Sequence, residues 1–345
     1  MRAEPALSVL EAAYRLEGSE DEWLDGLTQA AAPLSDTEVG VLAVAYEPEP
    51  APFHARKIST RYRNKELLEQ AFLEIEQIGK DHPALAGTIH RTTISETTTE
   101  AFHRWGFPLS LMDEVYSVRM HGLGVHDTFN VQGIDLRGRA LCLMAARSEH
   151  TTVPNVSRAV WQRVAVHLSA AMRLRAAVGD LRRTSLLDRA HAVFDARTQR
   201  CVHAAPEEAL SDLEVLREAA RAVDQARSSA LRNDANKALD LWRGLFAGRY
   251  SLADVFDSDG RRFVVAYENQ PDVASDRRLT RRELQAVALA ASGHGDALGA
   301  YALGVTTSTF RRHLGRALVK LGISDRTLLV DLVTRFEALK DDAAL

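Results

Sequence analysis

Cysteine is scarce. Only Cys142 and Cys201 occur in 345 residues, in separate segments and without CxxC spacing. That excludes a disulfide framework and a cysteine zinc site, and it fits a reducing, cytoplasmic setting. Long apolar runs are missing too. No stretch approaches the roughly 18 uncharged apolar residues that a membrane-spanning helix needs, so no membrane partner is expected. The opening run, "MRAEPALSVLEAAYRLEGSEDEW", has no apolar core followed by a cleavage site, so no secretory leader is expected. The 12 His residues form no HExxH or other catalytic arrangement. The chain is therefore expected to be neither an enzyme nor a cofactor carrier.

What is present is an ordinary soluble composition, 46% hydrophobic and 26% charged, in a chain too long for one typical core. The net charge of −4 is unevenly spread. Residues 277–340 hold 11 Lys and Arg against 5 Asp and Glu, a net +6, which leaves the rest of the chain at −10. A small basic end on an acidic body is the charge layout of a nucleic-acid-binding tail.

Periodicity divides the body in two. In residues 1–180, "DEWLDGLTQAAAPL" reads as an amphipathic helix and "EVGVLAVAYE" as a buried strand. Prolines at 48, 50 and 52 follow. The helix "NKELLEQAFLEIEQIGK" stops before His82-Pro83. Strands around turns are expected in "MHGLGVHDTFNVQGIDLRGRALCLMAAR", with Gly133 and Gly138 as punctuation. A long helix from about Asn155 to Leu181 carries an apolar stripe through Val160, Val164, Leu168 and Ala171. That stripe suits packing within the module and a dimer-forming signalling helix equally. Residues 185–272 read as a hairpin, an acidic helix with Leu210, Leu213, Leu216, Ala220 and Val223 on one face, a second helix ending at Gly248, and a terminal hairpin about "DSDG". "NQPDVASDRR" is the linker candidate, at about 269–278.

Three features tempt a site reading and fail on spacing. His121, His126 and Asp127 lie among glycines that read as a strand and turn, not a metal cage. "DSDG" lacks the later oxygen ligands of a calcium loop. Cys142 sits in an apolar strand, and no setting both basic and exposed, as an activated thiol needs, is read around Cys201.

Residues 276–340 are the informative part. Thr280 and Glu283 form a capping box for a first helix that stops at Gly293. Asp296 is positioned to cap a second helix ending at Gly304, Thr306 a third ending at Gly322, and Ser324 a fourth. On the third helix Phe310, Leu314, Ala317, Leu318 and Leu321 share one face. The opposite arc holds Ser308, Arg311, Arg312, Gly315 and Arg316. Thr306, Thr307 and Thr309 crowd its amino end, where hydroxyls and free N–H groups suit a phosphate. Two short helices joined at Gly304 form a helix-turn-helix, whose second helix fits the major groove.

This run closely resembles the DNA-binding domain of the LuxR family of bacterial transcription regulators. The resemblance rests on Leu279-Thr280-Arg281-Arg282-Glu283, Thr309-Phe310-Arg311-Arg312-His313 and Lys320-Leu321-Gly322 followed by Arg326, over about 60 residues. It implies that Arg311 and Arg312 face bases and that Thr307, Thr309 and Lys320 face the DNA backbone, with Ser308 and Arg316 on the same arc. It also implies a homodimer paired through "RTLLVDLVTRF", where Leu328, Leu329, Leu332, Val333 and Phe336 recur, and it admits RNA polymerase as a partner. The first 180 residues resemble a GAF-type sensor and residues 185–272 a shortened PAS-like module. The expected fold is therefore multidomain α+β: antiparallel-sheet sensor modules, then an all-α four-helix domain. A small-molecule ligand in the sensor follows from that resemblance. The phosphoryl-receiver, large-ATPase and acyl-homoserine-lactone signatures found in members of that family are missing.

The second helix departs from the family pattern at Gly295, Asp296, Ala297 and Gly299. Asp296 brings a negative charge towards phosphate. Gly299 costs about 1 kcal/mol relative to Ala in a helix, so Gly299→Ala is expected to stabilise. These departures keep open a second reading, a regulatory module that dimerises or binds protein and no longer binds DNA.

Overall fold

A computed structural model describes residues 4–47, 54–63, 65–81, 94–116, 118–134, 139–178, 190–204, 213–242, 250–256, 259–268 and 279–321, with Arg326 and Leu329. Helix α1 (Glu4–Ala13) precedes α2 (Glu20–Ala31), which starts at a capping box of Ser19 and Glu22. Then come β1 (Val41–Glu47), β2 (His54–Thr60), α3 (Lys65–Asp81) and β3 (Ile94–Thr97). Three short helices follow, α4 (Thr98–Trp105), α5 (Ser110–Val115) and α6 (Val118–Gly122). The hairpin β4 (Asp127–Ile134) and β5 (Ala140–Arg147) leads into the long α7 (Asn155–Val178). The five strands form one antiparallel sheet in the order β2-β1-β5-β4-β3.

The second segment holds β6 (Ala192–Asp195), β7 (Cys201–Ala204), α8 (Leu213–Ala226), α9 (Ala235–Trp242), β8 (Tyr250–Phe256) and β9 (Arg262–Glu268). Its four strands are antiparallel in the order β7-β6-β9-β8. Helices α10 (Arg281–Ala291), α11 (Asp296–Leu303) and α12 (Thr307–Leu321) close the described chain. The architecture is α+β, with twelve α-helices and two antiparallel sheets among the described residues. None of these helices is long and apolar enough to cross a membrane.

Period-two alternation explains the first sheet. Val41, Ala43 and Ala45 of β1 join Leu141, Leu143 and Ala145 of β5 on the face covered by α1, α2 and α7. Their neighbours Leu42, Val44 and Tyr46, with Ala140, Cys142 and Ala146, join the opposite core, which holds Leu68 of α3, Phe102 of α4 and Met112 of α5. A strand buried on both faces must be apolar throughout, and that is why β1 reads as an unbroken hydrophobic run. Gly133 of β4 has a specific reason. A Cβ there would lie 2.3 Å from the Ala165 carbonyl oxygen and 2.7 Å from the Ser169 nitrogen, so only glycine lets β4 meet the α7 backbone.

The first core does not stop at the sheet. It runs through α1 and α7 into Phe194, Leu252 and Val264 of the second sheet and into Leu239 and Trp242 of α9. Polar links cross at the same place. The Phe256 N–H donates to the Glu17 carboxylate at 3.0 Å, and Arg232 pairs with Glu11 at 3.0 Å. Asp240 pairs with Arg163 of α7, also at 3.0 Å.

Several elements differ from the sequence expectation. α1, β2, β3, α4, α5 and α6 were not anticipated; β2 is a polar edge strand, and the helices are short. His121 lies in α6 and not in a loop, with its ring stacked 4.9 Å from that of His126. The Asp127 carboxylate is occupied by Thr99 and by the Thr128 and Thr151 amides. Burial raises its pKa, and those donors oppose the rise. The proline cluster, the His82-Pro83 stop, residues 179–181, Leu210, Gly138, Gly248 and the 269–278 linker lie outside the described residues.

A shared core predicts shared unfolding. Trp161 packs edge-on to Phe129 beside the first sheet, while Trp242 lies in α9 of the second segment, in the same core. Variants keeping only Trp161 or only Trp242 as fluorophore should show the same urea midpoint. Two separated midpoints would mean that the sheets melt independently.

Candidate nucleic-acid interface

The C-terminal helices are set by local signals. The Thr280 hydroxyl accepts from the Glu283 N–H at 3.3 Å and the Glu283 carboxylate accepts from the Thr280 N–H at 2.8 Å, closing the expected box on α10. Gly293 and Gly304, with φ of 79° and 64°, end α10 and α11 in the left-handed region that glycine enters without strain. The Thr306 hydroxyl accepts from the Thr309 N–H at 3.2 Å and so starts α12. Inside, Ala286, Ala290, Ala300, Leu303, Phe310, Leu314 and Leu329 form a core separate from the two of the body.

Asp296 does not cap α11. Gly295 stands at the cap position, makes no side-chain bond, and leaves Asp296 as the first helical residue. Its carboxylate is drawn away by two guanidinium groups, Arg311 at 2.6 Å and Arg326 at 2.7 Å. These partners, Arg311 first, hold its pKa below the usual carboxylate range. The charge that was expected to oppose phosphate is thus spent within the unit.

Gly299 also differs from expectation. It lies in the helix with its face against the fully buried Phe310 ring, and a Cβ would meet ring carbons at 2.3, 2.6 and 2.9 Å. The sequence-based expectation that alanine stabilises here counts helix propensity alone. The observed contact shows that glycine makes room for Phe310, the largest side chain of this core.

The third helix presents the predicted arc. Ser308, Arg311, Arg312, Gly315, Arg316 and Lys320 are exposed, and Thr307 and Thr309 are half-buried at its start. The Thr306 hydroxyl lies 2.9 Å from those of both Ser308 and Thr309, forming a hydroxyl cluster over the helix end. Two of the four cations on this arc are engaged: Arg311 with Asp296, and Lys320 with the buried Glu283 carboxylate at 2.6 Å. Arg312 and Arg316 make no ion pair with any described residue. The available charge is therefore concentrated on those two. His313 between them is held below the usual imidazole value, by partial burial first and then by the positive charges of Arg312, Arg282 and Arg316.

Arg326 and Leu329 are the described part of the expected fourth helix. Gly322, Ser324 and the strip Leu328, Leu332, Val333 and Phe336 lie outside the described residues. Elsewhere, no group of three or more His, Cys, Asp or Glu suited to a metal occurs among the described residues. Cys142 is buried, which pushes its thiol up to about 12. Sequence reasoning missed the Asp296 pairs and the Gly299–Phe310 contact, because the partners of these residues are set by how α11 and α12 cross. Neither a family model nor a curated protein matches this chain.

Two outcomes follow. Gly299→Ala should lower the melting temperature, with overpacking of about 1–3 kcal/mol exceeding the helix-propensity gain; a raised melting temperature would mean that Phe310 moves aside freely. Glu283 is held down to about 2 from 4.5, by Lys320 first and then by the Thr280 amide. Its contribution is complete above about pH 4.5 and is lost as pH falls towards 2, because the unfolded state takes up the proton first. Urea unfolding of Glu283→Gln should lose that acid limb while being weaker at neutral pH. An unchanged acid limb would place the effect on other groups.

Proposed function

We propose that this chain is a sequence-specific, DNA-binding transcription regulator of the LuxR type, acting as a homodimer on double-stranded DNA in the cytoplasm. In this reading α11 and α12 are the helix-turn-helix and α12 enters the major groove. The five-stranded sheet with its helices is a GAF-like sensor, and the four-stranded sheet is a shortened PAS-like module. A small-molecule ligand or a partner at the sensor shifts the population between arrangements of the two DNA-binding ends.

The observation that carries the reading is the exposed arc of α12, where Arg312 and Arg316 stand with no ion partner among the described residues beside the hydroxyls at the helix start. Arginine is the commonest reader of guanine edges, and a helix amino end with hydroxyls suits phosphate. The net +6 of residues 277–340 against −10 elsewhere supports the same surface. The Asp296–Arg311 pair favours the second reading, a dimerisation or protein-interaction module, because it removes one expected base-reading cation.

Salt separates the two. Contacts to about 4–6 phosphates release counterions, so the affinity of the full chain for duplex DNA should fall steeply as salt rises. Arg312→Ala should cost about 1–3 kcal/mol on a selected site while leaving stability unchanged. Association that ignores salt, with Arg312→Ala silent, would favour the interaction module.

A further inference from the structure

Among the described residues, the C-terminal unit meets the body around a buried histidine. His167, near the middle of α7, is completely buried. Its Nδ1 lies 3.0 Å from the hydroxyl of Tyr14, just past the end of α1, and its Nε2 lies 2.9 Å from the Tyr301 hydroxyl of α11. Tyr301 donates its single hydroxyl proton to the Leu239 carbonyl of α9 at 3.0 Å. That leaves the Tyr301 oxygen to accept, so the His167 proton sits on Nε2, and Nδ1 accepts from Tyr14. Burial, followed by the Arg163 charge, keeps the ring neutral by pushing its pKa well down. The Arg163 guanidinium also lies 5.6 Å from the centre of the Tyr301 ring.

Among the described residues the attachment is narrow. Tyr301 is, among the described residues, the one buried residue of the unit that belongs to the core of the body; Leu298 and Ala302 beside it are partly buried. The unit keeps its own core around Phe310, so it can separate without unfolding itself. The His167 turn of α7 is the same turn that rests on Gly133 of β4, with Ala165 and Ser169 on either side. A displacement of β4 therefore carries His167 with it.

We propose that the His167–Tyr301 contact is an inhibitory latch. Closed, it holds the basic unit against an acidic body, residues 1–276, whose net −8 opposes an approaching phosphate backbone. Open, it frees the unit for DNA. The inhibitory part rests on the DNA-binding reading above; the latch itself does not.

The test uses the full chain with Tyr301→Phe, which keeps the ring and removes only the hydroxyl. Tyr250→Phe is the control, since Tyr250 makes the same kind of bond to His191, at 3.0 Å, and neither residue belongs to the unit. Hydrogen exchange followed by mass spectrometry and small-angle scattering read the opening. Anisotropy with a duplex at low salt reads affinity. Tyr301→Phe should expose α11 and the Leu239 segment to exchange, enlarge the particle and tighten duplex binding several-fold, while Tyr250→Phe does none of these. Exchange and scattering unchanged in Tyr301→Phe, or changed equally in Tyr250→Phe, would overturn the latch. Opening with unchanged or weaker DNA binding would overturn its inhibitory role. Opening in a chain that binds no duplex at any salt would leave the latch standing and remove the DNA reading.

Discussion

A neutral imidazole sealed from water must find one donor and one acceptor, or lose the desolvation cost of each unpaired nitrogen, about 1–3 kcal/mol apiece. His167 meets that requirement with two tyrosine hydroxyls from opposite ends of the chain, 153 and 134 residues away. The Leu239 carbonyl completes the chain of donors. The turn after α1 and three helices, α7, α9 and α11, are thereby linked. Apolar packing around them tolerates sliding, but a directed series of hydrogen bonds does not. The two sheets also share an apolar core, and this junction is where the C-terminal unit, through Tyr301, is tied to it.

Charge is distributed on the C-terminal unit with similar economy. Glu283 closes the cap of α10 and also neutralises Lys320. Asp296 abandons the cap of α11 to hold Arg311 and Arg326 together. Each acid ties two helices of the unit to one another. The cations of the α12 arc left without an ion pair among the described residues, Arg312 and Arg316, lie one helical turn apart on the face that points away from the Phe310 core. Stability and the candidate interface thus use different members of one basic set.

Legibility in the sequence followed distance along the chain. The capping box at Thr280, the left-handed stops at Gly293 and Gly304, and the polar arc of α12 depend on residues three or four apart, and each was readable. The alternation in β1 and β5 was readable because both faces are buried, although what covers them was not. The structure places α3 to α6 on one face and α1, α2 and α7 on the other. Gly299 misled because its role is a contact with Phe310, eleven positions away, while propensity counts only its own helix. Asp296 misled in the same way: its position suits a cap, and its charge answers to Arg311 and Arg326. His167 carried no signal at all, since a lone histidine on an apolar stripe is indistinguishable from ordinary packing until the fold brings Tyr14 and Tyr301 to it.

The central claim is that the arc of α12 lies against DNA. Photo-crosslinking tests it most directly: the intact chain is bound to a selected duplex carrying 5-iododeoxyuridine, irradiated, and the adducts are mapped by mass spectrometry. The account predicts adducts within residues 306–320, on the Ser308, Arg312 and Arg316 side of the helix. Adducts confined to the sheet-bearing body, or none in a complex that demonstrably forms, would contradict it.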